Sequence, residues 1–226
     1  MIVFDLDDTL CKEIDFLKSA YREISNYTAQ MFIGCQLPVQ ELGTKAYETM
    51  LAAYQSGGNA FEALNALFGL NVPLADYLQM YREHLPQIEL EEDVRETLDR
   101  FKSKGVLMGI VSDGRELTQW NKINALGLTK WIDESYIIIN SSPDSYKPNP
   151  CGYERVETAA RDLMNGDAQF TYVGDNLEKD FICPKQKGWY TICVKDDGRN
   201  IHSQDFYSTP EYAMPDRVID SLKELC

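Results

Sequence analysis

Asp5, Asp7 and Asp8 place three carboxylates within four residues, directly after the apolar run Ile2-Val3-Phe4. Like charges this close repel at neutral pH. Such a group is either a solvated acidic turn, a set sharing a cation, or a catalytic set with one member protonated. The run Ile2 to Phe4 reads as a short buried strand that stops at a polar turn. Asp5 then falls at the carboxyl end of that strand, where open α/β sheets place their ligand crevices.

The elements that must position these residues follow later in the chain. Val106 to Val111 is predicted as a second buried strand, ending in Ser112-Asp113-Gly114. Tyr136 to Ile139 is a third, followed by a polar, proline-rich loop, Asn140 to Pro150, that carries Lys147. Phe170 to Val173 is a fourth, ending in Gly174-Asp175-Asn176, and Tyr190 to Val194 is a fifth. Amphipathic helices are predicted between them: Asp93 to Lys104 closed by a Gly105 cap, Leu117 to Leu126 stopped by Gly127, and Gly152 to Met164 before a turn at Asn165 to Asp167. A helix from Asp180 to Lys187 carries Pro184 in its first turn. Residues 196 to 214 read as a polar surface excursion, and Arg217 to Leu225 as a closing strand or helix. Strands alternating with helices imply a parallel sheet with right-handed crossovers. Asp5, Ser112, Lys147 and Asp175 then share one sheet edge. A carboxylate nucleophile, a hydroxyl, a cation and a second acidic pair suit phosphoryl transfer, with Mg²⁺ on oxygen ligands to draw an anionic substrate in beside carboxylates.

Between Glu13 and Leu85 strand signal is nearly absent. Apolar residues recur at helical spacing in four segments, broken at Leu37-Pro38, Ser56 to Asn59, Gly69 and Pro73. The expectation is an α/β core made of residues 1–11 and 88–226, with a helical block, 12–87, inserted after the first strand.

Asp5-Leu-Asp-Asp-Thr9, Ser112, Lys147 and Gly174-Asp175 with Asp180 resemble, in order and strand context, the four motifs of the haloacid dehalogenase (HAD) superfamily. The helical insertion is similar to that family's C1-type cap. The resemblance spans the core and implies a Rossmann-like fold and a Mg²⁺-dependent phosphatase. It implies that Asp5 attacks phosphorus and forms an aspartyl-phosphate. Asp7 protonates the leaving oxygen and later activates water, two uses that need a pKa raised towards the working pH. Ser112 and Lys147 contact the phosphoryl group, although outside this set Ser112 reads as a helix cap and Lys147 as a solvated loop lysine. Asp5, Asp175 and the backbone carbonyl of Asp7 bind the metal, while Asp180 ligates through water or only orients its loop. Thr9 shapes the phosphate cradle. Asp113, where related phosphatases often carry Asn, either binds substrate or pairs with Arg115 or a nearby lysine. Dehalogenases of the family lack the second aspartate, so Asp7 favours phosphate-ester hydrolysis. A phosphomutase or pyrophosphatase remains an alternative on these motifs, as does a non-catalytic regulatory protein that keeps the fold. Cap closure is expected to exclude water and large substrates, favouring a small phosphorylated metabolite such as a sugar phosphate or nucleoside monophosphate. Lys12, Lys18 and Tyr21, near the expected mouth, read as structural or solvated, and so do Arg115, Glu178, His84 and His202.

The bulk composition is compatible. The 226 residues carry a formal net charge of −14, which argues against a nucleic-acid surface. No apolar stretch approaches the roughly 20 residues of a membrane-spanning helix, and the run at Ile2 reads as a strand rather than a leader. Six cysteines without a CxxC pair, and only two histidines, argue against zinc and fit reduced thiols in a cytoplasm.

Overall fold

The computed structural model describes residues 1–32, 37–161 and 169–225. Cys35, Cys226, the predicted helix beyond Arg161 and the turn at Asn165 to Asp167 lie outside them. Among the described residues, the strands are β1 (Ile2–Phe4), β2 (Met108–Asp113), β3 (Ile137–Asn140), β4 (Thr171–Gly174), β5 (Tyr190–Val194) and β6 (Arg217–Ile219). The α-helices among them are α1 (Glu13–Gln30), α2 (Val39–Gln55), α3 (Ala60–Phe68), α4 (Leu74–Glu83), α5 (Glu92–Ser103), α6 (Glu116–Leu126), α7 (Cys151–Ala160) and α8 (Ile182–Gln186). The chain divides into two compact units, Met1–Ile14 with Glu89–Cys226, and Asp15–Ile88.

In the first unit every strand pair is parallel, in the order β3-β2-β1-β4-β5-β6. β1 is therefore central, and its apolar residues find partners on both sides: Val3 with Gly109 and Tyr172, Phe4 with Ile110 and Val173. Both side chains are fully buried. The strand order reverses beside β1, and in open α/β sheets that reversal opens a crevice at the carboxyl ends of the strands. Asp5 stands there.

Several boundaries differ from the sequence prediction. Gly105, with φ 68°, follows Lys104 at the end of α5 rather than being the cap itself. The Val106 N–H then bonds Phe101 O, so Met108 is the first residue to pair with β1. That shift carries Ser112 and Asp113 inside β2, opposite Ile139 and Asn140, where the prediction put them just after it. β3 and β4 each begin and end one residue later than predicted. The helix predicted from Asp180 starts only at Ile182, because the Asp180 side chain accepts hydrogen bonds from the backbone of Asp175 and Asn176 and so holds a turn. The closing segment is both predicted alternatives in succession: β6, then a short 3-10 turn at Leu222–Glu224.

The second unit is held by aromatic rings. Tyr21 meets Tyr54 and Phe61 edge-on at 6.4 and 6.1 Å, and Phe61 stacks on Tyr77 at 5.3 Å. Asn65 accepts a hydrogen bond from the Tyr77 hydroxyl and donates to Val72 O, which fixes the turn between α3 and α4. His84 stands at the C-terminal end of α4. It is buried and bonded to Ser19 and Glu23.

Gly152, in the first turn of α7, lets that helix lie against β2 and β3. A Cβ there would stand 2.7 Å from Asn140 Oδ1 and 2.8 Å from Val111 Cγ1. Gly152→Ala is expected to lower stability by about 1–3 kcal/mol through overpacking. Gly188→Ala, where φ is 75° but the space is open, should cost about 1 kcal/mol through backbone strain alone. Urea unfolding midpoints of the two variants check this ranking.

Candidate active site

The loop after β1 turns tightly. The N–H groups of Leu10 and Cys11 both bond Leu6 O, with Leu6 and Leu10 fully buried beneath. Asp8 takes the left-handed conformation, φ 55°, which aspartate tolerates better than most side chains. Its two carboxyl oxygens accept from the backbone of Glu13 and Ile201, at 3.0 Å each. With Asp8 committed to the loop, Asp5 and Asp7 remain for chemistry. Both line a cavity of about 270 Å³, together with Glu13, Ser112, Asp113, Tyr146, Lys147, Asp175, Lys179 and His202.

At the floor of this cavity Lys147 Nζ lies 2.8 Å from Asp5 Oδ2, 2.7 Å from Asp180 Oδ1 and 2.9 Å from the Tyr172 hydroxyl. The contact to Asp180 is an ion pair without hydrogen-bond alignment. Asp113 holds the lysine's main chain, since the Lys147 N–H lies 3.1 Å from each of its carboxyl oxygens. Asn140 donates to the same carboxylate at 2.9 Å. Asp175 completes the floor, receiving a hydrogen bond from Asn200 at 3.1 Å. One oxygen from each of Asp5, Asp175 and Asp180 falls within 4.8 Å of the others.

At the wall, Lys122 Nζ is 2.6 Å from Asp7 Oδ1. Gln119, one turn earlier on α6, directs its amide nitrogen to Asp7 Oδ2 at 2.9 Å, Ser112 Oγ at 2.7 Å and Asp113 O at 3.1 Å. Asp7 and Ser112 are thus tied by one buried side chain.

The electrostatics follow from burial. Desolvation pushes the Asp5 carboxyl up to about 7 against the pull of Lys147. Desolvation and the charges of Asp180 and Asp5 push Asp175 up to about 9. Glu13 rises to about 7, through burial and the neighbouring Asp7. Burial works to lower Lys147, but Asp180 and Asp5 outweigh it and hold the ammonium well above its ordinary range. Asp5 and Asp175, which hold protons this readily for want of positive charge, offer with Asp180 three hard oxygen donors suited to a small divalent cation such as Mg²⁺.

All eight residues singled out in the sequence lie in the first unit. Asp5, Lys147, Asp175 and Asp180 form the floor, and Asp7, Ser112 and Asp113 line the same cavity. Thr9 is buried just outside the lining, and its hydroxyl has no hydrogen-bond partner among the described residues. Of the readings left open for Asp113, a nearby lysine is present, Lys179 at 3.5 Å, but the carboxylate spends its shorter bonds on Asn140 and the Lys147 backbone. Arg115 and Glu178 are exposed, Lys18 pairs with Asp15 at the surface, and Lys12 pairs with Asn200 and Asp197. His202 is exposed as expected, yet it also lines the cavity. Glu13, Gln119, Lys122, Tyr146 and Lys179 were not singled out. For Gln119 and Lys122 a signal existed: three residues apart on one helix, they occupy the face that also buries Ile123 and Leu126.

The structure is thus a parallel Rossmann-like sheet with one carboxylate after its first strand and further carboxylates after its fourth. The chain belongs to the haloacid dehalogenase-like hydrolase family, whose sequence model matches residues 2–194. It is 25% identical over 228 residues to a glyceraldehyde 3-phosphate phosphatase of Methanopyrus kandleri, covering 99% of this chain and 94% of the relative. A ribulose-1,5-bisphosphate 5-phosphatase of Halopiger xanaduensis is 27% identical over 144 residues, 63% of this chain and 57% of the relative. Among solved structures, a HAD phosphatase from Thermococcus onnurineus shares the fold with a TM-score of 0.57 at 19% identity, over 99% of this chain and 94% of that one.

The raised carboxyls make stability depend on pH. An unfolded aspartate titrates near 4, so between about pH 4 and 9 the metal-free folded state binds more protons than the unfolded state. Stability must then fall as pH rises through that window. In EDTA the urea midpoint is expected to be higher at pH 5.5 than at pH 8.5, and Mg²⁺ should narrow the gap by stabilising the deprotonated site. A midpoint that rises with pH in EDTA would contradict this.

Proposed function

We propose that this chain is a Mg²⁺-dependent phosphatase that hydrolyses a small sugar phosphate through an aspartyl-phosphate on Asp5. The observation that carries the reading is the meeting of Asp5, Asp7 and Ser112 on one small cavity floored by the Asp175–Asp180 pair. Phosphatase names among full-length relatives support it, and the three- and five-carbon sugar phosphates in those names support the substrate class. The cavity volume of about 270 Å³ suits such a ligand. Asp5, Asp175 and the backbone carbonyl of Asp7 would hold the metal, with Asp180 orienting the loop that carries Asp175. The bound ion would supply positive charge to the phosphoryl oxygens.

The chain's own residues perform the rest. An Asp5 carboxylate oxygen attacks phosphorus as the bond from phosphorus to the sugar oxygen breaks. Asp7 gives its proton to that leaving oxygen, and the free sugar hydroxyl results. Asp7, now charged, takes a proton from water, whose oxygen attacks the same phosphorus. The Asp5–phosphorus bond breaks, and inorganic phosphate and the Asp5 carboxylate are regenerated. Ser112, fixed by Gln119, keeps its hydroxyl hydrogen free for a phosphoryl oxygen. Lys122 and Gln119 position the Asp7 carboxylate. The four described cysteines Cys11, Cys151, Cys183 and Cys193 are free, which supports a reducing compartment such as the cytoplasm. No described helix is long and apolar enough to cross a membrane.

Phosphate release from glyceraldehyde 3-phosphate and from p-nitrophenyl phosphate, with Mg²⁺, tests the reading. Asp5→Asn is expected to reduce both by at least about 10³-fold. Asp7→Ala should slow the sugar phosphate by about 10²–10⁴-fold and the nitrophenyl ester far less, because nitrophenolate leaves without a proton. Equal losses on the two substrates would remove Asp7 as the acid. Transfer of the phosphoryl group to a second sugar hydroxyl instead of water would make the enzyme a mutase.

A further inference from the structure

The segment from Asp196 to Gln204 starts just past the residues matched by the family's sequence model, which end at 194. Its composition made it a polar excursion, but its hydrogen bonds fold it into a fixed strap. Asp196 Oδ1 accepts the N–H groups of Gly198, Arg199 and Asn200 at 2.8, 3.0 and 2.9 Å. Gln204 Oε1 accepts the Asp196 N–H, and the Gln204 amide nitrogen returns to Val194 O. The strap also reaches both acidic loops. The Ile201 N–H bonds Asp8 Oδ2, Gln204 Nε2 lies 2.8 Å from Asp175 O, and Asn200 Nδ2 lies 3.1 Å from Asp175 Oδ2.

Asn200 is the member whose orientation matters. A side-chain amide offers an acceptor on one side and donors on the other, and either could face Asp175. With its oxygen turned inwards, two acceptors would meet and the carboxylate would rotate away. Lys12 decides between the two. Its ammonium is 2.8 Å from Asn200 Oδ1 and 3.2 Å from Asp197 Oδ1, and its side chain is only 11% exposed. An ammonium only donates, so the amide oxygen faces Lys12 and the amide nitrogen faces Asp175. The positive charge on the oxygen side also polarises the amide and strengthens its N–H as a donor. Holding Oδ2 fixes the rotation of the Asp175 carboxylate, while Gln204 fixes the main chain that carries it.

We propose that Asn200 is a positioning residue for the cation site. It holds the Asp175 carboxylate in the rotation that suits a divalent cation, and Lys12 acts through Asn200 by setting its amide. The proposal takes from the phosphatase reading only the choice of Mg²⁺ and of Asp175 as its ligand, and it needs no turnover. Groups that orient the carboxylate ligands of a metal are typically worth about 10- to 100-fold in affinity.

The test titrates Mg²⁺ calorimetrically into substrate-free, full-length proteins. Asn200→Ala is expected to weaken Mg²⁺ by about 10- to 100-fold. Lys12→Met should weaken it less, and Lys12→Arg should restore most of that loss. In the Asn200→Ala background Lys12→Met should cause no further loss. Arg199→Met removes the strap's ion pairs with Glu91 and Asp197 and leaves the amide alone, so its Mg²⁺ affinity should stay within about twofold of wild type. Phosphatase activity that Asn200→Ala loses at limiting Mg²⁺ should return as the ion is added. An Asn200→Ala protein that binds Mg²⁺ as tightly as wild type overturns the assignment. So does an Arg199→Met loss as large as that of Asn200→Ala, because the effect would then belong to the fold of the strap. A wild type that binds no Mg²⁺ overturns both this assignment and the metal-dependent reading. The expected Mg²⁺ shifts in a protein that turns over no phosphomonoester would uphold the assignment and overturn the phosphatase reading alone.

Discussion

One ammonium among three carboxylates governs the architecture around the sheet edge. Taking a single ion out of water costs several kcal/mol, and Asp5, Asp175, Asp180 and Lys147 are all buried. The group is tolerable only because each member is held by fixed dipoles or opposite charge. Asp5 accepts the Leu6 N–H, Asp180 accepts the Asp175 and Asn176 N–H groups, and Lys147 is anchored by Asp113. Gly174 belongs to the same constraint: a Cβ there would lie 2.5 Å from Asp180 Oδ2. The charge that remains uncompensated appears as carboxyls that retain protons near neutrality, which is the property a divalent cation exploits.

Fold alone would not choose a reaction, since one scaffold serves many chemistries. The distinction lies in the wall of the cavity. Gln119 and Lys122 hold Asp7 beside Ser112, so the second carboxylate of the loop after β1 has dedicated support of its own.

Much of this was legible in the sequence. The short strand at Ile2, the helical block, and the order Asp5, Ser112, Lys147, Asp175 follow from apolar patterning and from where each run ends. Strand ends moved by one or two residues because pairing with β1, not local pattern, decides where a ladder begins. The residues missed share a different reason. Lys179 and Lys147 are both loop lysines in the sequence, and only packing shows that the side chain of Lys147 is enclosed while that of Lys179 is partly exposed. Asn200 and Gln204, which bond Asp175, lie in a polar segment with no period to mark them.

The position of β1 also bears on how the chain is made. β1 leaves the ribosome before either of its neighbours, which begin at Met108 and Thr171. Ile2, Val3 and Phe4 must therefore wait, unpaired and apolar, until β2 and β4 emerge, while the contiguous stretch Asp15–Ile88 can organise itself in the meantime. Asp5 is synthesised before every strand that flanks it, and it reaches its place at the sheet edge only once they have formed. A chain interrupted before β4 would carry Asp5 on a strand with one side of the sheet missing, exposed to pairing with other chains.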